Sequence, residues 1–211
     1  NNLAVIFTNL KEYQKAKDFY KKAIEINPNH VGSYNNLGTI FQGLGEIQKA
    51  KECYEKVIKI NPNYANAHYN LGNIFKKLGE NQKAKKCYEK AIEINPNHIN
   101  AHNNLGAIFN KLGKNQKAKN CYEKAIEINP NYTSAHWNSH GLSTDIDEAL
   151  LILKKLYKID NKHTKAKIMI AALNGYKGNF SMFDDILSSS NSNHPYTRSI
   201  KWVFSLPKLP N

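Results

Sequence analysis

Pro28, Pro62, Pro96 and Pro130 stand 34 residues apart, and the segments between them repeat one another. Asn36-Leu37-Gly38, Asn70-Leu71-Gly72 and Asn104-Leu105-Gly106 fall on the same period. A strict repeat of this length describes a unit that cannot bury its own apolar face, so copies must stack and share one continuous core. The chain is therefore expected to be a solenoid, an architecture whose extended surface suits binding.

Each unit holds two helical patterns. In the best-preserved copies, 31–64, 65–98 and 99–132, apolar residues such as Leu71, Ile74, Phe75 and Leu78 recur at the spacing of one helix face. A turn at Leu78-Gly79-Glu80-Asn81 follows, and Ala84, Cys87, Tyr88, Ala91 and Ile92 mark a second apolar face. Pro96 ends it, having no amide hydrogen and clashing with the preceding turn. Small residues stand where the two helices must touch: Gly38, Gly72 and Gly106 at position 8 of the unit, Ala50, Ala84 and Ala118 at position 20.

With the aromatic at position 24, Ala at 27 and Pro at 32, this pattern resembles the tetratricopeptide repeat (TPR). The resemblance implies an all-α fold, a right-handed superhelical α-solenoid of helix-turn-helix repeats with the first helix of each pair lining a concave groove. Residue 1 falls on position 5, so a partial repeat spans 1–30 and the regular array 1–132. The chain opens inside a helix, and further repeats are expected to precede it. Two degenerate repeats follow over 133–187: the first keeps Ala149 at position 20 but has a short helix broken near Gly141, and the second has a short closing helix near 181–187. The Ser- and Asn-rich run from Ser188 begins a segment, 188–211, read as a linker with a capping helix over 196–205 and an extended, Pro-terminated exit. That exit faintly resembles the joint to a methyltransferase-like domain in some bacterial TPR proteins.

Composition narrows the function. No run of apolar residues is long enough for a membrane span. Cys53, Cys87 and Cys121 all occupy position 23, too far apart along the stack to form disulfides; reduced core thiols suit the cytoplasm. The net charge of +13 rests almost wholly on lysine, Arg198 being the single arginine, and most lysines fall at positions 19, 21, 22 and 26. That pattern reads as a solvated outer face, and the lack of guanidinium groups argues against nucleic acid.

Asn2, Asn36, Asn70, Asn104 and Asn138 all occupy position 6. The resemblance places this position in the groove, where a carboxamide can pair with the backbone of an extended peptide. The series is similar to the asparagine ladder of the O-linked N-acetylglucosamine transferases. Asn35, Tyr69, Asn73 and Asn103 extend a polar groove, joined by Asn66, Asn100 and Asn110, while Lys76, Lys77 and Lys111 make one edge basic. A protein or peptide partner of acidic or neutral character fits. The lysines of a dicarboxylate clamp are absent: Asn35, Tyr69 and Asn103 stand at position 5.

His68, His102 and His136, at position 4, read as packing residues. His136 and His140, near Asp145 and Asp147, have the spacing of a ligand pair, but a metal is not expected, nor is a cofactor. No catalytic constellation appears, so the chain itself is not expected to be an enzyme. The sequence thus points to a peptide-binding scaffold. Its alternatives are the substrate-recruiting part of a larger transferase, glycosyltransferase- or methyltransferase-type, and a self-association module forming homo-oligomers.

Overall fold

A computed structural model describes residues 2–178, and helices account for all regular structure among them. The expected closing helix near 181–187, the capping helix at 196–205 and the extended exit lie outside the described residues. The chain divides into two compact units, 1–121 and 122–211, with the division inside helix α8 (Asn115–Ile128).

The first unit contains α1 (Asn2–Asn9), α2 (Tyr13–Ile26), α3 (Val31–Gly43), α4 (Ile47–Ile60), α5 (Ala65–Lys77), α6 (Asn81–Ile94), α7 (Ile99–Lys111) and the first part of α8. Odd-numbered helices are the first members of each pair, here A helices, and even-numbered ones the second, B helices. Each A helix ends in the same hydrogen-bonded turn. Glu46 N–H donates to Phe41 C=O at 2.8 Å and Gly45 N–H to Gln42 C=O at 3.2 Å, the two bonds of a Schellman cap. Glu12, Glu80 and Lys114 make the equivalent bonds to Phe7, Phe75 and Phe109, each at 2.9 Å. The cap needs a left-handed residue, supplied by Gly45, Gly79 and Gly113 at φ +79°, +79° and +70°. In the first pair Lys11 takes that role at φ 60°.

B helices stop by a different device. Asn27, Asn61, Asn95 and Asn129 are extended or precede proline, and each side-chain oxygen accepts the N–H two residues on, at 2.9–3.1 Å. Proline forbids the helix to continue while the asparagine satisfies the turn.

Packing explains the fixed small residues. Ala16, Ala50 and Ala84 are fully buried, as are Tyr54 and Tyr88 at position 24. A Cβ on Gly72 would meet Tyr88 Cε1 at 2.6 Å, and one on Gly38 would meet Tyr54 Cε1 at 2.7 Å, so glycine is there for the ring of the paired helix. Leu37, Ile40, Leu71 and Ile74 are buried between successive pairs, each side chain contributing about 1.5–3 kcal/mol. Their counterparts in α1, Leu3 and Ile6, remain 55% and 51% exposed.

The second unit holds the end of α8 with α9 (Thr133–His140), α10 (Ile146–Ile159) and α11 (Thr164–Tyr176). Leu150, Leu153, Leu156, Ala166 and Ile170 form its core, with Trp137 and Leu173 packed against them. Asp145 caps α10 by accepting the Glu148 N–H at 3.0 Å. Helix α9 spans only 8 residues and gives way at Gly141.

Candidate functional site

Asn36, Asn70 and Asn104 each precede a buried Leu by one residue and a buried Ile by one helical turn and are themselves half-buried, whereas Asn2 is exposed. They are not independent rungs. Asn36 Nδ2 donates to Tyr20 Oη at 3.1 Å, Asn70 Nδ2 to Asn35 Oδ1 at 3.3 Å, and Asn104 Nδ2 to Asn73 Oδ1 at 2.9 Å. Every one of these bonds runs back to the preceding repeat.

The bonds join into chains. Asn35 Nδ2 donates to Asn36 Oδ1 at 3.3 Å, so Asn70, Asn35, Asn36 and Tyr20 form one relay across three repeats. A second relay links Asn103 to Asn104 at 3.4 Å and Asn104 to Asn73, whose oxygen also accepts from Tyr88 Oη at 2.8 Å. Burial pushes the phenol of Tyr88 well above its ordinary value, so it is a fixed donor at neutral pH. Tyr54 Oη donates instead to Gln42 Oε1 at 3.0 Å, one turn along α3 from Thr39, which holds the place of Asn73.

Each carboxamide has two N–H bonds and two oxygen lone pairs, so these bonds leave each of Asn36, Asn70 and Asn104 with capacity to spare. The expected groove residues differ in access. Asn35, Tyr69 and Asn73 are half-buried, Lys77 and Lys111 are exposed, and Asn103 is only 7% exposed. Tyr69 packs at a tilt against His98, ring centroids 4.7 Å apart, and lies 6.0 Å from Tyr88, making an aromatic wall. Asn138 belongs to α9 of the second unit and is half-buried there.

The histidines serve the connections between repeats. Nε2 of His68, His102 and His136 donates to the carbonyls of Pro62, Pro96 and Pro130, each at 2.9 Å, pinning α5, α7 and α9 each to the end of the B helix before it. A second set went unrecognised in the sequence. Nδ1 of His30, His98 and His163 accepts the N–H of Ser33, Ala101 and Ala166 at 3.1–3.2 Å, acting as the N-cap of α3, α7 and α11. Their place just before a helix start was the available signal, obscured because imidazole is not among the usual capping groups. His98 Nε2 is buried without a hydrogen-bond partner, and burial lowers the pKa of the ring.

The His136–His140 pair is engaged by main chain: His136 as above, His140 through Nδ1 and the Trp137 carbonyl oxygen. Among the described residues no three His, Cys, Asp or Glu side chains gather as a metal site. Burial pushes all three cysteine thiols up to about 11, which leaves them protonated and unreactive at neutral pH.

The lysines at positions 19 and 21 do more than face solvent. Lys49 and Lys17 flank the Phe41 ring at 5.5 and 6.0 Å, and Lys83 and Lys51 flank Phe75 at 5.4 and 5.7 Å. In each case one lysine comes from the same repeat and one from the repeat before, so cation–π contacts bridge the stack.

Comparison with known proteins agrees with this geometry. Models of the tetratricopeptide repeat match residues 1–30, 65–98 and 99–132 and, in a second form, 19–52; a TPR repeat model matches 43–79. No curated protein shows a significant sequence match. Among solved structures, YrrB, a TPR protein with an unusual peptide-binding site, is 24% identical over 87% of this chain and 97% of its own, with TM-score 0.69. MamA is 27% identical over 77% and 96%, with TM-score 0.65. Pseudomonas aeruginosa pilF is 18% identical over 96% and 95%, with TM-score 0.85. No described helix is long and apolar enough to cross a membrane.

Proposed function

The chain belongs to the tetratricopeptide repeat family, whose helical repeats serve as protein–protein interaction modules, and from that premise we propose that the asparagine face of α3, α5 and α7 holds an extended peptide by its main chain. The observation that carries the reading is the pair of relays: Asn36, Asn70 and Asn104 are each fixed by one hydrogen bond to the preceding repeat and keep a second N–H to offer. A preorganised amide loses little freedom on binding, so its hydrogen bonds count more fully toward affinity. YrrB, a TPR protein with a peptide-binding site of its own, supports the use of this fold for such a ligand.

Magnitudes limit what the ladder can do alone. At about 1 kcal/mol net per hydrogen bond, three rungs supply about 3 kcal/mol, well short of the ~8 kcal/mol of a micromolar complex. Side-chain contacts with the Tyr69 wall and the lysine edge must supply the rest. The partner is then an acidic or neutral segment, and the relevant compartment is the cytoplasm, where the three protonated thiols stay reduced.

The test is peptide selection from a random display library on the wild-type chain, followed by titration of Asn70→Ala and Asn104→Ala together. The expected loss is about 2 kcal/mol, roughly thirtyfold in Kd. Undiminished binding by the double variant would sink the reading. A second reading is self-association of the repeat array. Light scattering that shows a monomer at every concentration would exclude it.

A further inference from the structure

The repeats act as internal controls for one another, and one turn between an A and a B helix departs from the rest. In the first three turns a glutamate at position 16 pairs with the lysine at position 19: Glu12 with Lys15 and Glu46 with Lys49, both at 2.5 Å, and Glu80 with Lys83. Lys51 and Lys85, at position 21, are answered by Glu55 at 3.7 Å and Glu89 at 3.1 Å. Between α7 and α8 the pattern inverts. Lys114 stands where the others have glutamate, so Lys117 loses its acid, and Lys111 adds a third positive charge at the end of α7.

No ion pair engages Lys111, Lys114 or Lys117 among the described residues, and all residues from Asn110 to Lys117 are exposed. The backbone does not demand this. Lys114 N–H bonds to Phe109 C=O at 2.9 Å just as Glu80 N–H bonds to Phe75 C=O, so either side chain satisfies the same cap. The lysine is therefore not required by the cap, and it leaves this turn with no carboxylate where each of the three sister turns has one.

The position of the cluster ties it to the asparagine face. Lys111 follows Asn104 by seven residues on α7, as Lys77 follows Asn70 on α5, and a separation of two turns keeps both on one side of the helix. A chain that crosses α7 at Asn104 therefore has Lys111 about 10 Å away along the same helix, within reach of a flanking segment only a few residues long. We propose that the α7–α8 turn, through Lys111, Lys114 and Lys117, anchors an acidic flank of the extended peptide held on that face. Carboxylates suit the turn better than nucleic acid, because the nearest ring, Phe109 with Lys117 over it at 5.9 Å, is buried and offers no platform for a base, and the turn has no guanidinium fork for a phosphate.

This inference rests on the peptide reading, and the experiment separates the two. A neutral peptide of Ser, Thr, Ala and Val, the same peptide with a terminal Asp/Glu run, and the acidic run alone are titrated against the full chain and against Lys114→Glu. The variant restores the residue that the other turns already carry, and circular dichroism verifies its fold. The expected result is that the acidic extension tightens binding to the wild type about fivefold at low salt, the worth of a few exposed ion pairs. That gain should shrink with added salt and vanish in Lys114→Glu, with the neutral peptide bound equally by both. An equal gain in the variant, or none in the wild type, would overturn the anchor while leaving the peptide reading intact. Failure of the neutral peptide with Lys114-dependent binding of the acidic run would support the anchor and remove the groove reading. Binding of a DNA duplex more tightly than the acidic peptide, lost in Lys114→Glu, would reassign the turn to nucleic acid.

Discussion

Replacing Gly72 by alanine tests the packing that sets the spacing of every repeat. Two opposing effects are calculable. Alanine favours the helical state over glycine by about 1 kcal/mol. Against that, the new Cβ would stand 2.6 Å from Tyr88 Cε1, 2.8 Å from Cδ1 and 3.2 Å from Cys87 Cβ, where ordinary contacts begin near 3.4 Å. The ring cannot simply swing aside, since it is fully buried and its hydroxyl is held by Asn73. Overpacking of this kind costs about 1–3 kcal/mol, so Gly72→Ala should destabilise by up to ~2 kcal/mol after the helical gain. Ala4 occupies the equivalent place beside Tyr20, which shows that the site can adapt and sets the upper limit. Gly43→Ala is the control: nothing lies within 4 Å of its Cβ, so only the helical gain remains and stability should rise. Urea unfolding followed by circular dichroism reads both. A Gly72→Ala protein as stable as Gly43→Ala would refute the argument that ring contact dictates the glycine.

Three further outcomes follow from the same geometry. Lys11→Gly should stabilise the chain by about 1 kcal/mol in urea unfolding, because a left-handed lysine is strained where Gly45, Gly79 and Gly113 are not; a loss of stability would contradict this. Burial holds the imidazoles of His98 and His140 below the ordinary 6.5, so their contribution is complete above that pH and is lost as pH falls from 6.5 through the lower folded-state values. Melting temperature should therefore drop on acidification, and His98→Asn, which keeps a capping acceptor without titrating, should flatten the drop; an unchanged profile would remove the cap from the account. The thiols of Cys53, Cys87 and Cys121, protonated and at least partly buried, should label slowly in the native state near neutral pH and quickly in urea, whereas fast native labelling would contradict their core placement.

Much of the fold was legible because each signal acts locally. Proline and the asparagine before it end the B helix within a few residues, glycine at position 15 ends the A helix, and the helix limits in α3 to α7 follow that punctuation. The side-chain chemistry was less legible because it depends on contacts between repeats. Asn70 finds Asn35 and Asn104 finds Asn73 only after stacking, so a sequence series that reads as free rungs is a set of braces with capacity left over. Lysines at positions 19 and 21 read as solvated charge, yet their ammonium groups lie over phenylalanines of their own and the following repeat. Imidazole caps escaped notice because the same residue type also packs at position 4, and composition cannot separate Nδ1 accepting from Nε2 donating.

The claim that the asparagine face binds main chain is tested most directly by side-chain amide resonances in the nitrogen-15-labelled chain. Addition of the neutral Ser, Thr, Ala and Val peptide should shift the Nδ2 signals of Asn36, Asn70 and Asn104, and scrambling the peptide's order should leave those shifts in place. Binding that moves other resonances while these three stay fixed would contradict the account.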